Sequence, residues 1–368
     1  MNPPEIERLA ANGISLTVMP GNGAQELCLT APAAPGASWP ELAGRAARLL
    51  RDRNAVPVKA DIFGPLPLAA AAADALKKEF SPALFPATVI DPGAGAGGLQ
   101  LHAVAGATVR TILLGSVPAA CVYGDADADY CYIGGVLPPD PRAPGGAQAL
   151  AALERIEAAL AAADMRLSDL ARTWFYFADI LPWYAEFNSV RSRFFEEKSI
   201  SAAAAPASTG VSGGNAAGAA LAASALAIKR KLPGAAFAPL PSPLQCPAPA
   251  YGSAFSRAVE VRAAALNKLY ISGTASIDAA GNTVHAGDTR AQIARTLEVV
   301  KAILASRGME AGHITRAIAY FRNAGDIARF SGLLRELAPG PLPLLTVESF
   351  ICRDELLFEL EADAAAGV

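Results

Sequence analysis

The sequence predicts an α+β fold: three tandem copies of one module in a single chain, closed on one another as an intramolecular pseudo-trimer. Three observations lead there. Tyr132-Ile-Gly-Gly135 is answered by Tyr270-Ile-Ser-Gly273, each a β-branched or aromatic run that turns at glycine before a connection rich in Pro, Asp and Gly. The elements that follow keep one offset, so that Leu153-Glu154 answers Leu297-Glu298 and Tyr176-Phe177 answers Tyr320-Phe321. An alternating strand then closes each copy: Leu99-Gln-Leu-His-Ala-Val-Ala105, Leu221-Ala-Ala-Ser-Ala-Leu-Ala227 and Phe358-Glu-Leu-Glu-Ala-Asp-Ala364.

In the first copy, Ser38-Trp-Pro-Glu41 puts a cap residue before proline and an acid in the first turn, so a helix starts there and runs to about Leu50. Residues 56–63 read as a strand, 70–80 as a helix, and Phe85-Pro-Ala-Thr-Val89 as the start of another strand. In the second copy, apolar residues at helical spacing predict a helix over 147–165, then the Tyr176-Phe177 strand and a second amphipathic helix over 182–197. The third copy repeats this with helices over 291–309 and 325–337 around Tyr320-Phe321. Pro206 and Pro343 each open a further strand. The expected modules are 1–118, 119–235 and 236–368. A ring of modules has clefts between its members, and such interfaces are favoured places for pockets.

An apolar fraction of 52% suffices for packed cores and excludes general disorder. The 31 basic and 34 acidic residues form no basic stripe or tail, which argues against nucleic-acid binding. The Ala-rich run over 216–228 is short and bounded by Gly218 and Lys229, so it does not read as a membrane span. Glu5, Glu7 and Arg8 precede any apolar run, so no signal peptide is expected and the setting is read as cytoplasmic. Five scattered cysteines without CxxC, and three histidines, point to neither a disulfide framework nor a zinc site. No metal or organic cofactor is expected, and a ring closed within one chain is expected to be a monomer.

The module resembles the YjgF/Rid (reactive-intermediate deaminase) family, with the chorismate-mutase-like fold that this implies. The third copy carries most of the likeness, in Tyr270-Ile-Ser-Gly-Thr-Ala-Ser-Ile-Asp278, Gly287-Asp288, Gln292 and Phe358-Glu-Leu-Glu-Ala362. The resemblance implies sites in the clefts between modules, with the family's water-positioning Glu at Glu359. The family's carboxylate-binding arginine is expected just after Pro86, Pro206 or Pro343 and is absent from all three places, which disfavours imine deamination. As a whole the chain more closely resembles the chorismatases. Arg172-Thr-Trp-Phe-Tyr176, Asp179-Ile180, Trp183-Tyr184, Phe187-Asn188, Arg191, Phe194-Phe195 and Pro206-Ala-Ser-Thr-Gly210 carry that likeness, continued by Tyr251-Gly252, Phe255-Ser-Arg257 and Ser272-Gly-Thr-Ala-Ser276.

The chorismatase resemblance implies release of pyruvate from chorismate. An enol ether is hydrolysed by protonating its terminal methylene carbon, a slow acceptor that needs a positioned acid with a raised pKa. At the position of Glu359 the other closing strands are aligned at Gln100 and Ala222, so only the third module retains an acid. Glu359 is the expected general acid, its pKa raised by burial and by Glu361 and Asp363. Chorismate is a dianion, for which Arg257 and Arg322 are the candidate partners, while Arg172 and Arg191 belong to the second module. Tyr176, Tyr251 and Tyr320 are candidate hydrogen-bond donors or packing residues. Thr209-Gly210 and Gly273-Thr274 offer backbone N–H groups, or serve turn geometry, and Ala275 belongs to the facing segment.

Cys352 resembles the residue of the chorismatase branch that forms 3-hydroxybenzoate. The alternatives are a dihydroxycyclohexadiene carboxylate, a mixture of 3- and 4-hydroxybenzoate, or a non-catalytic metabolite-binding ring. Two short motifs point elsewhere. Gly93-Ala-Gly-Ala-Gly-Gly98 fits GxGxxG, but a strand follows where a dinucleotide fold needs a helix. Gly210-Val-Ser-Gly-Gly214 fits the nucleophile elbow GxSxG, yet only His285 and His313 follow as bases and both read as surface histidines.

Overall fold

The computed structural model describes residues 5–93, 97–201, 204–231, 237–264, 266–335 and 342–368. Three modules of the same topology follow one another. The first holds β1 (Glu7–Ala11), β2 (Ile14–Pro20), β3 (Gln25–Pro32), α1 (Trp39–Arg51), β4 (Val56–Phe63), α2 (Leu66–Phe80), β5 (Ala87–Ile90) and β6 (Gly98–Ala105). The second holds β7 (Arg110–Leu114), β8 (Val117–Gly124), β9 (Ala128–Val136), α3 (Gly145–Ala162), β10 (Leu170–Phe177), α4 (Tyr184–Glu197), β11 (Ala207–Ser212) and β12 (Leu221–Arg230). The third holds β13 (Phe237–Leu240), β14 (Ala258–Arg262), β15 (Leu266–Ala275), α5 (Thr289–Ala305), β16 (Ile314–Phe321), α6 (Ala324–Arg335), β17 (Leu344–Glu348) and β18 (Phe358–Gly367).

Each module forms one six-stranded sheet with the same strand order, β1-β2-β3-β6-β4-β5 in the first. Its single parallel pair (β4/β5, β10/β11, β16/β17) is joined by a helical crossover, the connection that parallel strands require. The leading strands β1–β3, the β7–β8 hairpin and β13–β14 were not foreseen from the sequence. Strand pairing changes sheets between Ala105 and Arg110, ahead of the expected division near 118. The division near 235 and the tail of the helix expected to reach residue 337 lie outside the described residues. The predicted cap on α1 is present, with Ser38 Oγ accepting from the Glu41 backbone N–H at 3.4 Å.

Helices pack on one face of each sheet. On α5, for example, Ile293, Val300 and Ile303 are fully buried against the third sheet. Each such side chain contributes roughly 1.5–3 kcal/mol. The opposite faces of the three sheets meet at the centre. Lys59, Arg172 and Arg316 occupy equivalent places there, each the first residue past a register shift on β4, β10 or β16. All three cations are buried and surround the ring of Trp174, at 4.0, 5.0 and 5.5 Å from its centroid. They are neutralised locally: Lys59 pairs with Asp61 at 2.7 Å, Arg172 with Glu361 at 3.1 Å, and Arg316 with Asp363 at 2.9 Å and with Glu361. Pairing at this depth offsets the cost of burying the charges and adds little net stability.

Candidate functional site

A cavity of about 520 Å³ opens between the second and third modules. Helix α4 supplies Tyr184 and Asn188, and β11 supplies Ser208 and Gly210. The third module contributes Tyr251 and Phe255 from the segment before β14, with Arg257, Gly273 and Ala275. Cys352 and Arg353, from the loop before β18, and Glu359 complete the wall. Two backbone-to-side-chain bonds close the seam below it: Ser208 N–H to Ser272 Oγ at 2.9 Å, and Gly273 N–H to Thr209 Oγ1 at 3.0 Å.

Strand alternation puts Glu359, Glu361 and Asp363 on one face of β18, where their environments diverge. Glu361 accepts from Trp174 Nε1 at 3.0 Å and is ion-paired with Arg172 and Arg316. Burial alone would raise its pKa, but these arginines and the Thr209 hydroxyl hold it at about 2. Glu359 is 5% exposed and has no hydrogen-bond partner among the described residues. Burial first, then the charge of Glu361, pushes it up to about 8, with Arg172 and Arg257 only partly offsetting the rise. Asp363, expected to contribute, is instead taken up by Arg316. Two neighbouring carboxyls driven this far apart leave Glu361 ionised and Glu359 protonated at neutral pH.

The seat of Glu359 is cut by a missing side chain. Ser272 and Gly273 lie in a register shift of the β15–β18 pair, and a Cβ on Gly273 would stand 2.0 Å from Glu359 Oε1. Only glycine leaves room for the carboxyl.

Positive charge gathers around the acid. Arg257 is 3% exposed; its Nε donates to the Cys246 carbonyl at 2.9 Å, and its Nη2 has no partner among the described residues. The guanidinium groups of Arg257 and Arg353 both contact the Tyr251 ring, 5.3 and 5.2 Å from its centroid. Behind the wall, Arg191 donates to Asn188 Oδ1 at 2.7 Å and to Ser208 Oγ at 3.3 Å. This helix arginine puts a cation behind β11, the strand that lacks one after Pro206. Burial, and then the nearby Glu359, pushes the Cys352 thiol up to about 12, so it sits in the cavity as S–H.

Of the residues expected at the site, Glu359, Cys352, Arg257, Tyr251, Gly210, Gly273 and Ala275 meet at this cavity. Arg322 does not; it forms a surface ion pair with Asp354 at 2.8 Å and stacks over Phe350. Tyr176 and Tyr320 face the central core, with Tyr176 edge-on to Phe63 at 5.6 Å. Thr209 lies behind the wall against Arg172, and the Thr274 hydroxyl donates to the Ser272 carbonyl. Tyr184, Asn188, Phe255 and Arg353 were not foreseen as site residues. The register also corrects one alignment. Glu359 pairs with Tyr320, and the equivalent pairs are Tyr176 with Ala222 and Phe63 with Gly98, so Gln100 corresponds to Glu361. The third module is still the one with an acid at that position.

The other motifs find no support in the structure. Ser212 ends β11, and its hydroxyl accepts from the Ile180 backbone N–H at 3.2 Å. His285 sits in a turn with φ 60°, and His313 Nδ1 accepts from the Glu310 backbone N–H. In the glycine-rich run, residues 94–96 lie outside the described residues and Gly98 begins a strand. Glu26, Cys28 and His102 are close enough together to hold a metal. Glu26, however, is tied to Lys268, Tyr123 and Tyr132. Burial and the charges of Lys59, Arg316 and Lys268 keep His102 well below its usual range, a field that repels a cation. No helix among the described residues is long and apolar enough to cross a membrane.

Comparisons place the fold. The chain is similar over 84% of its length, and 92% of the other's, to a crystal structure of a chorismatase, with a TM-score of 0.63 and 18% identity. Residues 247–366 match the family model described as Endoribonuclease L-PSP. Protein DfrA of Myxococcus xanthus is 32% identical over 89 residues, 24% of this chain and 66% of that protein, so just under two thirds of that relative is spanned. TdcF of E. coli, solved with bound serine, aligns over 33% of this chain and 93% of its own at 20% identity, with a TM-score of 0.28. The chain is thus an α+β protein of three tandem YjgF/Rid-like modules. Its fold is that of the chorismatase structure.

Proposed function

We propose that this protein is a chorismatase that converts chorismate to pyruvate and 3-hydroxybenzoate. One observation carries the reading: the cavity's only carboxyl among the described residues, Glu359, is held protonated beside two lining arginines. Glu359 donates its proton to the terminal methylene of the enolpyruvyl ether; water adds to the resulting oxocarbenium ion and returns a proton to Glu359, and the hemiketal breaks its bond to the ring oxygen, giving pyruvate and the ring alcohol. Arg257 and Arg353 receive the substrate's two carboxylates, with Arg191 adding positive charge behind the wall. The neutral thiol of Cys352 lies against the ring and favours loss of its other hydroxyl, which leaves as water together with the ring hydrogen on the carbon that keeps its oxygen, so that the ring aromatises.

Incubation with chorismate, followed by chromatography of the ring product, tests this reading. Equal amounts of pyruvate and 3-hydroxybenzoate are expected from the wild type. Cys352→Ala is expected to keep pyruvate release and shift the ring product toward the dihydroxycyclohexadiene carboxylate. An unchanged product ratio in that variant removes Cys352 from the account. Chorismate bound but returned intact would identify a metabolite-binding ring instead.

A further inference from the structure

Thr209 does not line the cavity, and it is 1% exposed. Its Oγ1 nevertheless joins the two modules. It accepts from the Gly273 backbone N–H at 3.0 Å on one side and from Arg172 Nη2 at 3.0 Å on the other. Arg172 also donates to the Ile271 carbonyl and contacts Glu361 at 3.1 Å. A residue of β11 and one of β10 thus clamp the bulge of β15 from outside its own module. Gly273 at the crest of that bulge is where the Glu359 carboxyl rests, and a Cβ built there would also meet Thr209 Cγ2 at 3.3 Å.

We propose that Thr209 is a positioning residue for Glu359, holding through Gly273 and Arg172 the bulge on which the acid is seated. The inference rests on the reading of Glu359 as the proton donor. Several charged or titratable groups face Glu359: Glu361 on its own strand, Arg172 from β10, Arg257, Tyr320 from β16, Tyr184 from α4 and Cys352. Arg353 shares the cavity wall. Thr209→Val changes none of these charges and keeps the side-chain shape. It removes the acceptor that fixes the bulge. With the bulge released, the Glu359 carboxyl is less tightly seated and water reaches it, which weakens the burial that raises it and moves its midpoint to lower pH.

With chorismate, Thr209→Val is expected to lower kcat about 10–100-fold by displacing the acid. KM stays within about twofold, because no substrate contact is lost. Thr209→Ser, which keeps the hydroxyl, is expected to restore both kcat and the midpoint. The protonated-carboxyl infrared band of Glu359, identified by its loss in Glu359→Gln, is titrated in all three proteins. This arm needs no turnover, so it tests the clamp even if chorismate is not a substrate. Should Thr209→Val fail to fold, Thr209→Ala leaves space for a water that can satisfy the freed donors but does not tie β11 to the bulge, and it is expected to move kcat and the midpoint in the same direction by a smaller amount. A wild-type midpoint in the hydroxyl-free variant overturns the proposal, as does a Thr209→Ser protein impaired to the same degree.

Discussion

Glu359→Gln is expected to abolish pyruvate release from chorismate, with kcat reduced by about 10²–10⁴-fold. Glutamine keeps the shape of the side chain and its seat against Gly273 but has no proton to give to carbon. The same substitution is expected to stabilise the protein at alkaline pH. Glu359 is raised from 4.5 to about 8, so between those values the folded protein holds a proton that the unfolded chain releases. Stability therefore declines as pH rises through this window and stays lower above it. The glutamine variant escapes the decline by an amount on the order of a few kcal/mol. Melting curves of the two proteins should nearly coincide near pH 4.5 and separate near pH 9, the variant unfolding later. Equal loss of activity and stability at every pH would mark Glu359 as structural only.

Arg257→Met is expected to raise KM for chorismate about 100-fold or more, with a smaller effect on kcat. Arg257 brings a buried guanidinium whose Nη2 has no partner among the described residues, and its Nε is fixed by the Cys246 carbonyl. Leaving such a donor unsatisfied is costly unless a ligand completes it. A substrate carboxylate does so, and its binding in ground and transition states alike places the effect in KM. Arg322→Met, which removes the pair with Asp354 and the stack over Phe350, both away from the cavity wall, serves as the contrast and is expected to leave KM unchanged. Steady-state kinetics of the two variants checks both statements.

The repeat was legible because long amphipathic helices and alternating strands carry their period over many residues. The leading strands were not. β1 is exposed at all five positions and sits at a sheet edge, so it has no buried face to imprint a pattern. Glu359 could be found because the family resemblance points to it and neither other closing strand has an acid there, whether the first is aligned at Gln100, as in the sequence, or at Gly98, as in the register. Arg322 was misassigned because sequence position does not show that Asp354, far along the chain, captures it. Tyr176 and Tyr320 share the inward face with the site. That face divides into a cleft and a closed centre, a division set only when three sheets meet. Tyr184 and Arg353 reach the cavity through docking of one module on the next, which no local pattern reports.

The most direct test of the central claim is the pH dependence of kcat/KM for pyruvate release from chorismate, which reports the free protein's essential acid. The wild type is expected to be fully active at neutral pH and to lose activity as pH rises through about 8, where Glu359 gives up its proton. Glu359→Gln should show no such limb and almost no pyruvate. Absence of pyruvate from folded wild-type protein, or an unchanged profile in the glutamine variant, would contradict the account.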